Sequence, residues 1–209
     1  MKNLSYLLLL ICQFSFAQAT VKNQKLIEQA LAFEEKGDIE NAIKTHEKVL
    51  SLDAGNFQSA NSIAGLYGLL GKYGDEISWA EKAIKINRKY CLAYINLGNG
   101  YMLKGDLQNA ITYYKKADVL EPKNPLPPYS LGVVEENIGN LNTAIAFYEQ
   151  SVSRDASFEN GYFNLAAAYA NNKDFKNANK NILKVIALNP NDMDAKEMHK
   201  HILKELEKK

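Results

Sequence analysis

The sequence predicts an all-α fold: five tandem 34-residue helical hairpins, 23–56, 57–90, 91–124, 125–158 and 159–192, followed by a capping helix over 193–209. Three observations lead there. Gly37, Gly71, Gly105 and Gly139 recur every 34 residues, and Lys173 continues the series one period later. Small residues recur in step, at Ala30, Ala64, Gly98, Gly132 and Ala166, and again at Ala42, Ala110, Ala144 and Ala178. Each period also holds two apolar runs at helical spacing, separated by a turn such as Gly-Asp, Gly-Asn or Lys-Asp that stops one helix and starts the next. A small residue in the first helix facing Ala in the second lets the two backbones approach closely. One hairpin cannot bury such a face alone, so neighbours must stack.

Residues 1–19 stand apart from this pattern. Lys2 and Asn3 precede an apolar stretch from Leu4 to Cys12, and Ala17-Gln18-Ala19 places small residues where signal peptidase reads them. That is the order of a secretory signal. Cleavage is expected after Ala19, with Ala17 as the alternative, and the product is expected to be exported to the periplasm or secreted. The stretch is shorter than the roughly 20 residues that span a bilayer, so no integral membrane span is expected. Removal of the signal takes Cys12 with it and leaves Cys91 as the one cysteine, which excludes an internal disulfide.

The third period is the clearest: Tyr94-x2-Leu97-Gly98-x2-Tyr101, then Gly105-Asp106-Leu107, then Ala110-Ile111-x2-Tyr114-x2-Ala117, then Pro122. It resembles the tetratricopeptide repeat (TPR), whose order of aromatic, Leu-Gly, Tyr, Ala, aromatic and Pro it follows. The resemblance covers 170 of the 209 residues, from 23 to 192. It weakens in the first two periods, where Gln29 stands for the usual Leu, Glu76 for the small Ala and Ala80 for the aromatic. For the architecture the resemblance implies a right-handed superhelical solenoid. In the last helix Ala195, Met198, Ile202 and Leu206 share one face, which suits a cap over the final hairpin. Pro122, Pro125, Pro127 and Pro128 crowd the junction before the fourth period, where prolines in a first helical turn lose no hydrogen bond.

Composition narrows the function. A chain that is 46% hydrophobic can build a core, and 25 Lys and Arg against 24 Asp and Glu leave a net charge of +1, with no bulk field for nucleic acid. Arg occurs only at Arg88 and Arg154, so the planar forks that grip phosphates are scarce. No catalytic residue, metal ligand set or cofactor is expected. His199 and His201 point about 200° apart on a helix, His46 falls in an otherwise aromatic column, and Asp192 and Asp194 lack the further ligands of a calcium loop.

What remains is binding. In the resembled family the first helix of each hairpin lines the concave groove, which implies which side chains face a ligand. The acidic end carries Glu34 and Glu35; next come Asn61, Ile95, Asn96 and Asn99; and then Tyr129, Val133, Asn137, Phe163, Asn164 and Asn171. A side-chain amide both donates to and accepts from a peptide backbone. The expected function is therefore a non-catalytic protein-interaction scaffold of the periplasm or cell envelope that binds another protein or an extended peptide. The alternative is a glycan- or peptidoglycan-binding module using Tyr129, Phe163 and the amides. Lys and Arg clamps for a terminal carboxylate, which chaperone-type members use, are missing from these places.

Overall fold

The computed structural model describes residues 21–208, so the expected secretory segment, 1–19, lies outside them. Among these residues all regular structure is helical. The helices are α1 (21–35), α2 (Ile39–Leu52), α3 (Phe57–Leu69), α4 (Tyr73–Ile86), α5 (Cys91–Leu103), α6 (Leu107–Leu120), α7 (Leu126–Ile138), α8 (Leu141–Arg154), α9 (Glu159–Asn171), α10 (Phe175–Leu188) and α11 (Met193–Leu206). The all-helical repeat class agrees with the sequence reading. The chain divides into two compact units, one ending at Gly100 and the other beginning at Tyr101.

The 34-residue period has a backbone cause. Gly37, Gly71, Gly105 and Gly139 adopt φ of 70°, 69°, 84° and 92°, and Lys173 adopts 61°. All five sit in the left-handed region that ends a helix and reverses the chain. The following residue donates its N–H five positions back, as from Asp38 to the Phe33 carbonyl and from Asp174 to that of Tyr169, both at 2.9 Å. Lys173 makes the same turn against a cost on the order of 1–2 kcal/mol for an L side chain there.

The start of the second helix is also repeated. Asp38, Asp106 and Asp174 cap α2, α6 and α10, accepting the backbone N–H of Asn41, Asn109 and Asn177 at 3.3, 3.1 and 3.1 Å. Each Asn returns its side-chain amide to the other carboxylate oxygen, at 2.8, 2.7 and 2.7 Å. One orphan backbone N–H at each helix start is thereby satisfied, and the side-chain amide holds the capping carboxylate in place. The bonds from Asn109 hold the exposed Asp106 carboxyl below its usual range.

In the unit ending at Gly100, α2, α3 and α4 close over Ala42, Ile43, Ala60, Ile63, Leu66 and Ala83. Trp79 lies partly buried against that cluster, with the Lys82 ammonium 4.1 Å from its ring centroid. In the unit beginning at Tyr101, α7, α8 and α9 enclose Ala144, Ile145, Tyr148, Leu165 and Ala168. There α11 lays Ala195, Met198, Ile202 and Leu206 on Ala166, Ala178, Ile182 and Val185 of the last hairpin. Its own cap is Asp192, which accepts from the Ala195 N–H at 2.9 Å.

The proline-rich junction is a fixed turn. Pro125 caps α7, and Pro127 and Pro128 fill its first turn, fully buried. The Ser151 hydroxyl donates to the Pro125 carbonyl at 2.8 Å. Arg154 reaches back to the carboxylate of Asp118 and donates to the Asn124 carbonyl at 3.0 Å.

Candidate functional site

The first helices carry the candidate residues, and the hairpin geometry fixes what their last turns can hold. Glu34 on α1 meets His46 on α2: the His46 Nε2 is 2.7 Å from the carboxylate and its Nδ1 is 3.1 Å from the Ser59 hydroxyl. One hundred and two residues later, Glu136 on α7 accepts the hydroxyl of Tyr148 on α8 at 2.9 Å. Between them in sequence, the Tyr114 hydroxyl points at the Met102 sulfur at 3.8 Å. In these three hairpins a first-helix side chain thus contacts the middle of the second helix at the same place. His46 is 2% exposed, so it is a packed histidine serving the hairpin. Burial, then the bond and charge of Glu136, push the Tyr148 hydroxyl far above the ordinary tyrosine range.

The second repeat breaks this rule. Its two positions are Gly68 and Ala80, and the space is taken by Glu76, one turn earlier on α4. Glu76 is only 3% exposed, and its Oε2 meets no hydrogen-bond partner. A Cβ on Gly68 would stand 2.9 Å from the Glu76 carboxyl carbon, and one on Gly100 would stand 3.5 Å from it. Loss of solvation raises the Glu76 carboxyl from 4.5 to about 7.

The amides expected to face a ligand are brought together within each unit. The Asn96 side chain on α5 donates to the Asn61 side-chain oxygen at 3.0 Å and to its backbone carbonyl at 3.3 Å, reaching across to α3. Sixty-eight residues on, the Asn164 amide on α9 donates to the Tyr129 hydroxyl on α7 at 3.1 Å. The same 35-residue contact therefore occurs twice. Tyr129 also packs edge-on against Phe158, centroids 5.2 Å apart, and its hydroxyl is raised by burial.

Part of the donor capacity assigned to these amides is used inside the protein. Ile95, expected to touch a ligand, is 7% exposed and offers almost no surface; α5 buries Ala93, Ile95 and Leu97 in succession, so its apolar positions go into packing on more than one side. Asn61 is also buried, at 9%. Glu34 is held by His46, whereas Glu35 is exposed. Asn96, Asn99, Val133, Phe163 and Asn164 are half-buried, and Asn137 and Asn171 are exposed. Asn171 also lines a cavity of about 460 Å³ with Phe175, Met198, His201 and Glu205 at the last hairpin. The Glu34–His46 and Glu136–Tyr148 pairs are absent from the sequence reading, although a constant separation of twelve residues signals them. Among the described residues no cluster of three or more His, Cys, Asp or Glu side chains is placed to hold a metal, and no helix is long and apolar enough to cross a membrane.

The comparisons agree with this geometry. The BBSome complex member BBS4 of Bos taurus is 27% identical over 114 residues, 54% of this chain and 22% of its own length. The chain thus spans about a fifth of that relative. TTC0263, a thermophilic TPR protein of Thermus thermophilus with a solved structure, superposes with a TM-score of 0.76 at 18% identity, over 87% of this chain and 98% of that one. YrrB, described as a TPR protein with an unusual peptide-binding site, has a TM-score of 0.58 at 20% identity, over 88% and 97% of the two chains. The tetratricopeptide repeat profile matches residues 26–56, 92–124, 129–158 and 160–192, and leaves out the stretch carrying Gly68, Glu76 and Ala80. With more than half of its length matched in this way, the chain belongs to the tetratricopeptide repeat family.

Proposed function

We propose that this chain is an exported, non-catalytic interaction scaffold that holds another protein, through an extended peptide segment, against the first helices of its hairpins. The observation that carries this reading is the amide contact made at one place in two repeats, Asn96 with Asn61 and Asn164 with Tyr129. Each contact fixes the plane of a side-chain amide through its N–H while leaving its carbonyl oxygen to accept from a peptide N–H. Peptide binding by YrrB is a precedent on the same fold. Phe163, half-buried next to Asn164 in sequence, and Val133, half-buried one helical turn after Tyr129, supply apolar contact for peptide side chains.

The test is calorimetry with a partner captured by crosslinking from the cell envelope. Asn96→Ala and Asn164→Ala together are expected to weaken binding roughly five- to a hundredfold, at about 0.5–1.5 kcal/mol per neutral hydrogen bond. Because each Asn also bonds inside its unit, thermal melts of the single variants should show a loss of similar size, recorded separately from binding. A partner that binds the Asn pair variant and a Tyr129→Ala, Phe163→Ala variant as tightly as the wild type uses another face, and the reading falls.

Export rests on the apolar stretch Leu4 to Cys12 followed by Ala17-Gln18-Ala19. Protein purified from its native host is expected to begin at Thr20, as read by N-terminal sequencing. An intact Met1 in the mature material would overturn export.

A further inference from the structure

The first repeat lacks a ring that its neighbours carry. In the third repeat, Tyr101 on α5 stacks on Tyr113 of α6, centroids 5.4 Å apart and planes 15° from parallel, and the Lys116 ammonium stands 4.9 Å from the Tyr113 centroid. One period earlier the same three places hold Tyr67, Trp79 and Lys82, and the Lys82 ammonium stands 4.1 Å from the Trp79 centroid. The fourth repeat puts Phe147 in the middle place, and the fifth puts the buried Asn181 there. In the first repeat the two flanking members remain, Phe33 on α1 and Lys48 on α2, but the residue in the ring's place is Thr45. A cavity of about 520 Å³ opens there, with the buried Thr45 at its floor and Gln29, Phe33, Lys44, Lys48 and Ser51 around it.

The lining selects for a ring. The Thr45 hydroxyl donates to the Asn41 carbonyl at 2.7 Å, so the proton of the floor residue is already used. Phe33 is half-buried and forms part of the wall, in the place from which Tyr101 meets Tyr113. Lys48, three residues after Thr45, is exposed and stands in the column where Lys82 and Lys116 meet their rings. A ring entering here gains an aromatic face and an ammonium, two contacts that the third repeat makes within the chain. Gln29 takes the column of the buried Ile63, Leu97, Leu131 and Leu165 but stays exposed, and its amide is free to bond a phenol hydroxyl or an indole N–H. We infer that this cavity between α1 and α2 is a binding site for a tyrosine or tryptophan side chain of a partner protein, which completes the first repeat as Trp79 and Tyr113 complete the second and third. Its volume lies within the range of small-ligand sites, about 300–1,000 Å³. None of its residues takes part in the Asn61–Asn96 or Tyr129–Asn164 contact, so the inference does not depend on the groove reading.

The test uses N-acetyl-tyrosinamide and N-acetyl-tryptophanamide, which present the two side chains on a neutral peptide backbone, with N-acetyl-leucinamide as the non-aromatic control. The threonines of the chain are Thr20, Thr45, Thr112 and Thr143, so in protein labelled with 13C at threonine methyls the Thr45 signal is identified by its loss in Thr45→Ser. The expected result is a saturable shift of the Thr45 methyl, half-complete at roughly 1–10 mM of either aromatic amide, while the exposed Thr112 methyl stays in place. The leucinamide, added as a competitor, is expected to displace the tyrosinamide at least about fivefold more weakly than the tryptophanamide does. Lys48→Met keeps the stem, removes the charge and should weaken binding roughly two- to fivefold. Thr45→Tyr plants the ring on the chain itself and should abolish the ligand-induced shift of the Phe33 ring signals seen in the wild type. The inference is overturned if Thr45 responds no more than Thr112, if the leucinamide competes as well as the tryptophanamide, if Lys48→Met binds as tightly as the wild type, or if Thr45→Tyr leaves the Phe33 response intact. Should Thr45→Tyr fail to fold, the wild-type comparison of the three amides decides alone.

Discussion

Replacing Gly132 with Ala is expected to destabilise the protein by about 1–2 kcal/mol, a fall in melting temperature of roughly 3–8 °C for a chain of this size. A Cβ at Gly132 would stand 2.6 Å from Cδ1 and Cε1 of Tyr148. That ring cannot step aside. It is fully buried, packs 5.9 Å from the Tyr129 centroid, and is anchored by its hydroxyl bond to Glu136 at 2.9 Å. Ala is better than Gly in a helix by about 0.5–1 kcal/mol, so the overpacking must exceed that gain for the sign to hold. Gly68→Ala is the internal comparison. Its methyl would meet only the far end of the flexible Glu76 side chain, so it is expected to be neutral or stabilising. Urea unfolding of both variants checks the contrast, and a Tyr148→Leu background should reduce the cost of Gly132→Ala by making room for the added methyl. Equal effects of the two glycine changes would show that contact with the Tyr148 ring does not set the cost at position 132.

The fold was legible because it depends on backbone positions that few residue types satisfy. A left-handed turn every 34 residues selects Gly37, Gly71, Gly105 and Gly139, and the Lys173 exception still occupies the right column. Small residues at Gly132 and Ala144 mark close helix approach, which leaves a periodic trace in the sequence. The Asp-x-x-Asn caps at 38, 106 and 174 were equally visible in principle, since they recur every 68 residues, but a search at 34 passes over them.

The candidate site was less legible. A position on a first helix identifies the face but not whether its polar atoms are already used. Asn96 and Asn61 lie 35 residues apart and bond each other, Glu34 is taken by His46, and Ile95 goes into packing. These outcomes depend on which side chain reaches across to the neighbouring helix, a matter of rotamer and depth that periodicity does not encode. Departures from the repeat were more informative than agreement with it. Glu76 for Ala, Ala80 for an aromatic and Gly68 for a larger side chain are three separate substitutions in sequence and one packing solution in space.

That packing solution carries a second large expected effect, on the pH dependence of stability. The folded protein raises the Glu76 carboxyl from 4.5 to about 7 by burial, so it binds a proton that the unfolded chain has released across that interval. A raised carboxyl makes unfolding easier as pH rises: its contribution is whole below about 4.5, declines through the interval and is lost above about 7. At about 1.4 kcal/mol per pH unit the full interval is worth roughly 3.5 kcal/mol, and relaxation around the ionised group reduces this to about 2–3 kcal/mol. The exposed carboxyls held low by local hydrogen bonds, Asp106 by Asn109 and Asp155 by Ser157, act in the opposite sense and at more acid pH, which keeps the two windows apart. Glu76→Gln keeps the shape of the side chain and removes the titration. The variant should therefore match the wild type within about 0.5 kcal/mol at about pH 4 and exceed it by about 2–3 kcal/mol at about pH 8. Urea unfolding at a series of pH values measures both curves. Parallel curves across the interval would mean that the carboxyl reaches water or a donor in the folded protein, and the orphaned Oε2 behind Gly68 would then be satisfied.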